Sequence, residues 1–208
     1  MAQLNEMQLR EQKIKLWSLN KETLLREWAE KAVGYRWLHE KARRKFSRLH
    51  DMLSYPTIVI TTTTGVGGFA IINTNDANDN AQSSSILFLR YFFAFLNVLG
   101  SILHAISKFN NSAQLCERHT SVSIEYAKFY RTINMELSLE KDQRQDAIKF
   151  ISHCRKEFDK ILSNAPTIPS TCIKQFNETF PNKRNRPDVC NGLGLISFEE
   201  DSDIVGQV

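Results

Sequence analysis

Two apolar segments separated by a short polar loop dominate the pattern of hydrophobic and polar positions. The first, Tyr55 to Ile72, carries no charged side chain, and its length of about 18 residues is near the lower limit for a helix that spans a bilayer. The second, Ile86 to Ser107, is more apolar and contains one charge, Arg90. Turn-forming residues fill the loop 73–85, whose only charges are acidic. The pattern predicts a transmembrane helical hairpin over 54–109, with spans at 55–72 and 86–107.

A buried hairpin in a soluble protein is the alternative reading of the same pattern. Thr61 to Thr64, followed by Gly65, Gly67 and Gly68, is a poor helix former by intrinsic propensity. In a bilayer this objection weakens, because unpaired backbone groups are so unfavourable there that they enforce a helix. We therefore favour the membrane hairpin.

Apolar side chains recur at intervals near three, four and seven on both sides of the hairpin. The N-terminal set is Trp17, Leu24, Trp28, Ala32, Tyr35, Leu38, Ala42, Phe46, Leu49 and Leu53. The C-terminal set is Leu115, Val122, Tyr126, Phe129, Ile133, Leu137, Ile148, Ile151, Phe158 and Leu162. This spacing predicts an amphipathic helical arm over 1–53, with its helix starting near Glu6, and a second arm, interrupted in places, over 110–165. The two stripes are expected to pack together as a helical stalk or bundle, which makes the predicted fold class all-α.

The region 166–208 follows the second arm. Pro166 and Pro169 end that arm, because proline cannot continue a helix. A short helix is predicted at Thr171 to Phe180, followed by a basic loop at Pro181 to Arg186 and an acidic tail at Gly192 to Val208.

The net charge of +4 is modest, and the positions of the charges are more informative than their sum. A basic cluster immediately precedes the first apolar segment: Lys41, Arg43, Arg44, Lys45 and Arg48. A nuclear-localisation or nucleic-acid interpretation exists, but basic residues beside a span more often mark the cytoplasmic face. Lys108 and Arg118 follow the second segment, so both termini are expected on the cytosolic or an equivalent side. The expected partners are the lipid bilayer and further copies of the chain in a homo-oligomer, and no nucleic acid is expected.

Thr61, Thr64, Gly65 and Gly68 lie three or four residues apart and form a face of small side chains in the first span. Such faces let helix backbones approach closely in lipid, so we expect this one to contact the second span or another copy of the chain. As alternatives, the threonine hydroxyls line a polar pore or bond to carbonyls of their own helix.

Arg90, Asn97 and His104 are polar residues within the second apolar segment. Polar groups inside a membrane usually face protein or water. Hydrogen bonding between helices and anchoring at the interface are the favoured roles, and an ion pathway is the alternative.

Catalytic and metal chemistry find little support. Cys116, Cys154, Cys172 and Cys190 are widely spaced and lack zinc-type spacing, which favours free reduced thiols. There is no Gly-rich phosphate loop, H-E-x-x-H motif or nucleophile elbow. We predict a non-enzymatic protein without a cofactor or metal. Met1 to Leu16 is polar, so the hairpin itself is expected to act as the insertion signal.

Three stretches resemble SLATT-type two-span membrane proteins, particularly the versions found in large DNA viruses of eukaryotes. They are YRWLHEKARRKFSRLHDMLSYPTIVITTTTGVGGF (Tyr35 to Phe69), YRTINMELSLEKDQR (Tyr130 to Arg144) and FDKILSNAPTIPSTCIKQF (Phe158 to Phe176). The resemblance covers Ala32 to Phe180 and departs from the viral threonine-glycine-threonine pattern at Thr64-Gly65-Val66.

The resemblance implies a two-helix membrane hairpin with helical arms and transfers no catalytic residue. Bacterial SLATT proteins are thought to be membrane-disrupting or pore-forming effectors of conflict systems. For the viral relatives, the implied role is a component of the virion's internal membrane or of its contact with the capsid. Two functions are therefore expected: a structural anchor joining a membrane to a protein layer, or an oligomeric pore.

Overall fold

The computed structural model describes residues 14, 16–73, 84–181 and 184–192, and within them the side chains of 69–73, 84 and 86 are left out. This part of the chain is helical and contains no strand. The elements are α1 (Leu19–Asn73), α2 (Ser84–Asn110), α3 (Ser112–Ser138), α4 (Ala147–Asn164), α5 (Ser170–Thr179) and a 3₁₀ turn at Asp188–Cys190. The predicted all-α class is confirmed.

Helix α1 runs without interruption for 55 residues and contains Pro56. The expected helix boundary between the N-terminal arm and the first span, near Leu53, is therefore wrong. Proline removes only one backbone donor, and the neighbouring Thr57 hydroxyl donates to the carbonyl of Leu53 at 2.7 Å. The arm and the first predicted span are parts of one helix. The expected start near Glu6 lies outside the described residues.

The chain divides into two compact units. The arm unit comprises Met1–Leu38, Tyr126–Lys160 and Pro169–Val208, and the hairpin unit comprises His39–Glu125 and Ile161–Ile168. The arm unit includes α1 as far as Leu38, and the hairpin unit includes the longer remainder of α1 from His39.

An aromatic cluster forms the centre of the arm unit. Tyr35 of α1 stacks on Tyr126 of α3, with ring centroids 5.1 Å apart and planes 9° from parallel. Phe158 of α4 presents its edge to both rings, at 6.2 and 6.0 Å. Both tyrosines are at most 1% exposed. Since full burial of such a side chain contributes about 1.5–3 kcal/mol, this cluster holds α1, α3 and α4 together.

Gly34 allows the C-terminal segment of the arm unit to lie against α1. A Cβ at this position would lie 2.6 Å from Cγ and 2.7 Å from Cδ of Pro187. Trp37 packs edge-on against Phe176 of α5 at 5.4 Å, close to the same contact. A glycine that weakens the helix by propensity is thus required by tertiary packing.

A buried ion pair fastens the start of α1 to the turn between α3 and α4. The Arg144 guanidinium donates to the Glu22 carboxylate at 2.8 Å and to the carbonyls of Leu139 and Leu137 at 2.9 Å each. It also lies 5.0 Å from the ring of Trp17. Burial alone would raise the pKa of Glu22, but hydrogen bonds and charge from Arg144 and its neighbour Lys141 hold it below 4.5.

The predicted C-terminal arm consists of two helices. The turn over 139–146 separates α3 from α4 and shifts the helical phase. In α3 the predicted stripe residues Val122, Tyr126, Phe129 and Ile133 are buried. In α4 the predicted Ile148 and Leu162 are 60% and 42% exposed, and the buried residues are Ala147, Phe150, Cys154 and Ile161. In α1, Leu25 is buried in place of the predicted Leu24. The short helix expected near Thr171 is confirmed as α5.

Candidate functional site

Helices α1 and α2 contact each other in the hairpin unit through two glycines. A Cβ on Gly100 of α2 would lie 3.0 Å from Cγ2 of Ile60, and a Cβ on Gly67 of α1 would overlap the ring of Phe93. Ile60 meets Gly100, whereas Gly67, later in α1, meets Phe93, earlier in α2. The two helices are therefore antiparallel. Thr64, 5% exposed, lies on the same face of α1.

Two residues of the predicted small-residue face lie at the contact of α1 with α2: Thr64 is buried, and Cγ2 of Thr61 lies 3.8 Å from a Cβ placed on Gly100. Nothing lies within 4 Å of a Cβ placed on Gly65 or Gly68. The contact face of α1 contains Ile60, Thr64 and Gly67. Each following residue is turned by about 100° around the helix, which carries Gly65 and Gly68 to an adjacent, open face.

The threonine hydroxyls bond to their own helix, as one of the sequence alternatives proposed. Thr61 Oγ1 donates to the carbonyl of Thr57 at 2.9 Å, and Thr64 Oγ1 donates to that of Ile60 at 2.9 Å. These donors are therefore satisfied within α1.

The polar residues of α2 lie beside its contact with α1. Arg90 is half-buried, whereas Asn97 and His104 are exposed. Their spacing of seven residues places all three on one side of the helix. The residues that face α1, Phe93 and Gly100, lie three or four residues from these polar positions, so the polar positions border the contact.

Large apolar side chains are exposed on both helices of the pair. Those at least 59% exposed are Tyr55, Ile58, Val59, Val66, Phe88, Tyr91, Phe95, Val98 and Phe109. Among the described residues one helical stretch, Leu87–Ser138, is long and apolar enough to cross a membrane, and 6% of its most apolar window is buried. The end of the first predicted span, 69–72, belongs to the residues whose side chains are left out. Soluble proteins rarely expose apolar surface on this scale.

The basic cluster lies on α1 within the hairpin unit. Arg44, Lys45 and Arg48 are exposed, and Lys41 and Arg43 are half-buried. Glu40 accepts hydrogen bonds from Arg43 at 2.8 Å and from Arg44 at 3.3 Å. The hydrogen bond from Arg43 lowers the pKa of Glu40.

A buried histidine pair joins α1 to α3, and sequence reasoning did not find it. The Nδ1 atoms of His39 and His119 lie 2.8 Å apart, and both side chains are 0% exposed. One ring must donate and the other accept, which requires a neutral acceptor. Phe46 stacks on His119 at 5.4 Å. Burial lowers the pKa of both histidines, assisted by the neighbouring His119 for His39 and by Arg118 for His119.

Two signals were available for this pair. His39 directly follows Leu38 on the predicted stripe, and His119 lies at helical spacing from Leu115 and Val122. Neither spacing indicates that His39 and His119 contact each other. Within the described part of the chain, no group of three or more His, Cys, Asp or Glu side chains is placed to hold a metal ion.

Comparisons with protein-family models, with curated proteins and with solved structures return no match.

Proposed function

We propose that the chain is a non-enzymatic, two-pass integral membrane protein. Helix α2 and the second half of α1 cross the bilayer as an antiparallel hairpin, and the helical arms lie in water on one side. The observation that carries the proposal is the exposed apolar surface of α2, with Phe88, Tyr91 and Phe95 each at least 64% exposed.

Energetics support insertion of these helices. Full burial of one such side chain contributes about 1.5–3 kcal/mol. If α2 were exposed to water, this burial free energy would be lost for each of its exposed apolar side chains. The acyl chains of a bilayer offer the required apolar environment. They also favour the helical state of the threonine-glycine stretch in α1.

The basic cluster supports an orientation. Lys41, Arg43, Arg44, Lys45 and Arg48 precede the first span, while the loop between the spans carries Asp76 and Asp79 and no Lys or Arg. By the positive-inside rule both termini then lie on the cytosolic or equivalent side. The cluster also attracts anionic lipid headgroups on that side.

The arms are proposed to bind a protein layer. Several apolar side chains on α3 and α4 stay exposed, including Ile124 at 48%, Met135 at 72% and Ile148 at 60%. The resemblance to viral SLATT-type proteins favours a role as a structural link between a virion's internal membrane and its capsid. The arms have the length and the exposed surface for such a partner.

Flotation of the purified protein with liposomes, followed by an alkaline wash, tests insertion. We expect the protein to stay in the lipid fraction. A variant with Phe92→Glu and Phe95→Glu places two charges on the lipid-facing side of α2 and should remain in the soluble fraction. The matched variant, Met135→Glu with Ile148→Glu, changes two exposed residues of the arms and should float normally. Equal flotation of the two variants would contradict the proposal.

A pore-forming effector is the second candidate, because Asn97 and His104 are exposed on an otherwise apolar helix. Dye leakage from liposomes tests it, with Asn97→Leu and His104→Leu combined as the comparison. Leakage that this double variant abolishes would favour the pore. Sealed vesicles containing inserted protein would favour the anchor.

A further inference from the structure

The buried contact between His39 and His119 requires that at least one of the two rings is neutral. The Nδ1 atoms lie 2.8 Å apart, so one must carry a hydrogen that the other accepts. A first added proton can bind Nε2 of the donor ring, which leaves this hydrogen bond intact. A second added proton gives both Nδ1 atoms a hydrogen, and no acceptor remains between them. The contact therefore tolerates at most one positive charge.

The environment of the pair opposes even that one charge. Both side chains are 0% exposed, and Nε2 of His119 has no hydrogen-bond partner within the described part of the chain. Phe46 stacks on the ring of His119 at 5.4 Å. Burial, together with the neighbouring His119, lowers the pKa of His39 to about 3. Burial, together with Arg118, lowers the pKa of His119 to about 4. The pair is therefore neutral in the folded protein at neutral pH.

The neighbouring charged groups do not compensate a protonated pair. The titratable neighbours on its own two helices are Glu40, Lys41 and Arg43 of α1 with Cys116, Glu117 and Arg118 of α3. The Glu40 carboxylate already accepts hydrogen bonds from Arg43 at 2.8 Å and from Arg44 at 3.3 Å. Glu117 is exposed and lies about 200° around α3 from His119. The segment 161–168, which completes the hairpin unit, has no titratable side chain.

We propose that the pair of His39 and His119 is a pH switch, which holds α1 and α3 together in the hairpin unit at neutral pH and lets them separate there in acid. In the separated state both histidines regain a pKa near 6.5, so the open state binds more protons as the pH falls. Between about pH 7.5 and about pH 5, opening should become about 25-fold more favourable for each histidine, or about 600-fold for both. The arm unit should stay closed over this range, because the pKa of its buried Glu22 is held below 4.5.

Hydrogen exchange in the full-length protein tests the switch. Helix α3 belongs to the hairpin unit as far as Glu125 and to the arm unit from Tyr126, so one helix provides both the test region and its reference. Amide exchange in detergent micelles is measured by mass spectrometry at about pH 7.5 and about pH 5, with correction for the intrinsic exchange rate at each pH. We expect protection in 112–125 to fall by more than about tenfold in acid, with little change in 126–138. Unchanged protection in 112–125, or an equal loss in both parts, would overturn the proposal.

A variant and its control separate the pair from other titrating groups. His39→Asn keeps an N–H donor for Nδ1 of His119 but does not titrate. The fall in protection of 112–125 in acid should therefore be smaller by up to about 25-fold in this variant. His153→Gln changes an exposed histidine of α4 and should retain the full response. A full response in His39→Asn would assign the opening to other groups and overturn the proposal.

The ring nitrogens of ¹⁵N-labelled histidine give a readout in the unmodified protein, which does not depend on how a variant folds. We expect two rings to stay neutral, with an Nδ1 hydrogen bond, down to the pH at which 112–125 loses protection. Histidines that all titrate near pH 6.5, at about their ordinary pKa, while 112–125 stays protected would overturn the proposal.

Discussion

Aromatic residues behave in opposite ways in the two units. In the arm unit, Tyr35 and Tyr126 stack on each other and are at most 1% exposed. In the hairpin unit, Phe88 and Phe95 belong to α2, which is as long as α3. These two side chains are 70% and 64% exposed. The arm unit covers its aromatic rings with protein, as a fold in water must, whereas the rings of α2 point outward. The proposed membrane hairpin accounts for this contrast, because lipid would cover the rings of α2.

Helix α1 shows the same difference within one element. Ala32, Leu38 and Ala42 are 0% exposed, whereas Ile58, Val59 and Val66 are 59–71% exposed. Burial sets the stability of the first half, so substitutions there should affect unfolding. In the proposed membrane hairpin, lipid takes this role for the second half.

The largest expected effect is loss of Arg144 in the arm unit. Arg144→Ala leaves the buried Glu22 carboxylate with Lys141 alone, 3.2 Å away, and removes the donor to the carbonyls of Leu137 and Leu139. The loss should be about 3 kcal/mol, the lower end of the cost of removing one partner of a buried pair. Chemical denaturation followed by circular dichroism measures the change. Arg131→Ala, an exposed arginine on α3, is the control and should change little. A loss of the same size in both variants would contradict the role given to the ion pair.

Acid should destabilise the hairpin unit through His39 and His119. Their pKa values are lowered in the folded protein, while in the unfolded chain they lie near 6.5. The unfolded state therefore binds more protons as pH falls below 6.5, and stability decreases by at most about 2.7 kcal/mol per pH unit for two histidines. Denaturant unfolding at about pH 7.5 and about pH 5 measures this slope.

The histidine prediction has a matched pair of variants. Changing both residues together, His39→Leu with His119→Leu, removes both polar partners and should flatten the slope between these pH values. His153→Gln alters an exposed histidine of α4 and should leave the slope unchanged. A slope that persists in the double variant would assign the pH dependence to other groups.

The same glycine-to-alanine change should have opposite signs in the two units. Gly34→Ala drives a methyl group into Pro187 and should cost about 1–3 kcal/mol. Gly65→Ala meets open space and should stabilise the helix by about 0.5–1 kcal/mol. Thermal unfolding of both variants in the same lipid or detergent gives the comparison. A similar cost at the two positions would mean that α1 is packed alike along its length.

The smallest expected effect concerns the basic cluster. Arg48→Gln should weaken binding to vesicles containing anionic lipid by about fivefold, the equivalent of about 1 kcal/mol. Arg131→Gln on the arm unit serves as the control and should bind normally. The difference should disappear on neutral vesicles, and its persistence there would contradict an electrostatic role.

Periodicity predicted much of the helical fold, because the positions that a helix buries repeat along the chain. Tyr35, Leu38 and Ala42 were identified in this way and are buried. The phase of α4 was not predictable, because it depends on the geometry of the turn that precedes it. The break between arm and span was expected near Leu53, whereas α1 continues through Pro56, which removes only one backbone donor.

Contacts between helices were the least accessible to sequence reasoning. Gly67 and Gly100 meet Phe93 and Ile60, yet the sequence favoured Gly65 and Gly68 because their spacing with Thr61 and Thr64 is regular. A single helix has several faces of small residues, and spacing alone does not select the one that meets a partner. The pairing of His39 with His119 required the same missing information, namely which turns of α1 and α3 lie side by side.

Collision accessibility of spin labels tests the central claim that α2 lies in lipid. Labels at positions 95 and 135 replace two exposed apolar residues, Phe95 at 64% and Met135 at 72%, one in each unit. In reconstituted protein we predict that the label at 95 is accessible to oxygen and shielded from a water-soluble nickel complex, and that the label at 135 shows the reverse. Equal access of the nickel complex to both labels would contradict the membrane hairpin.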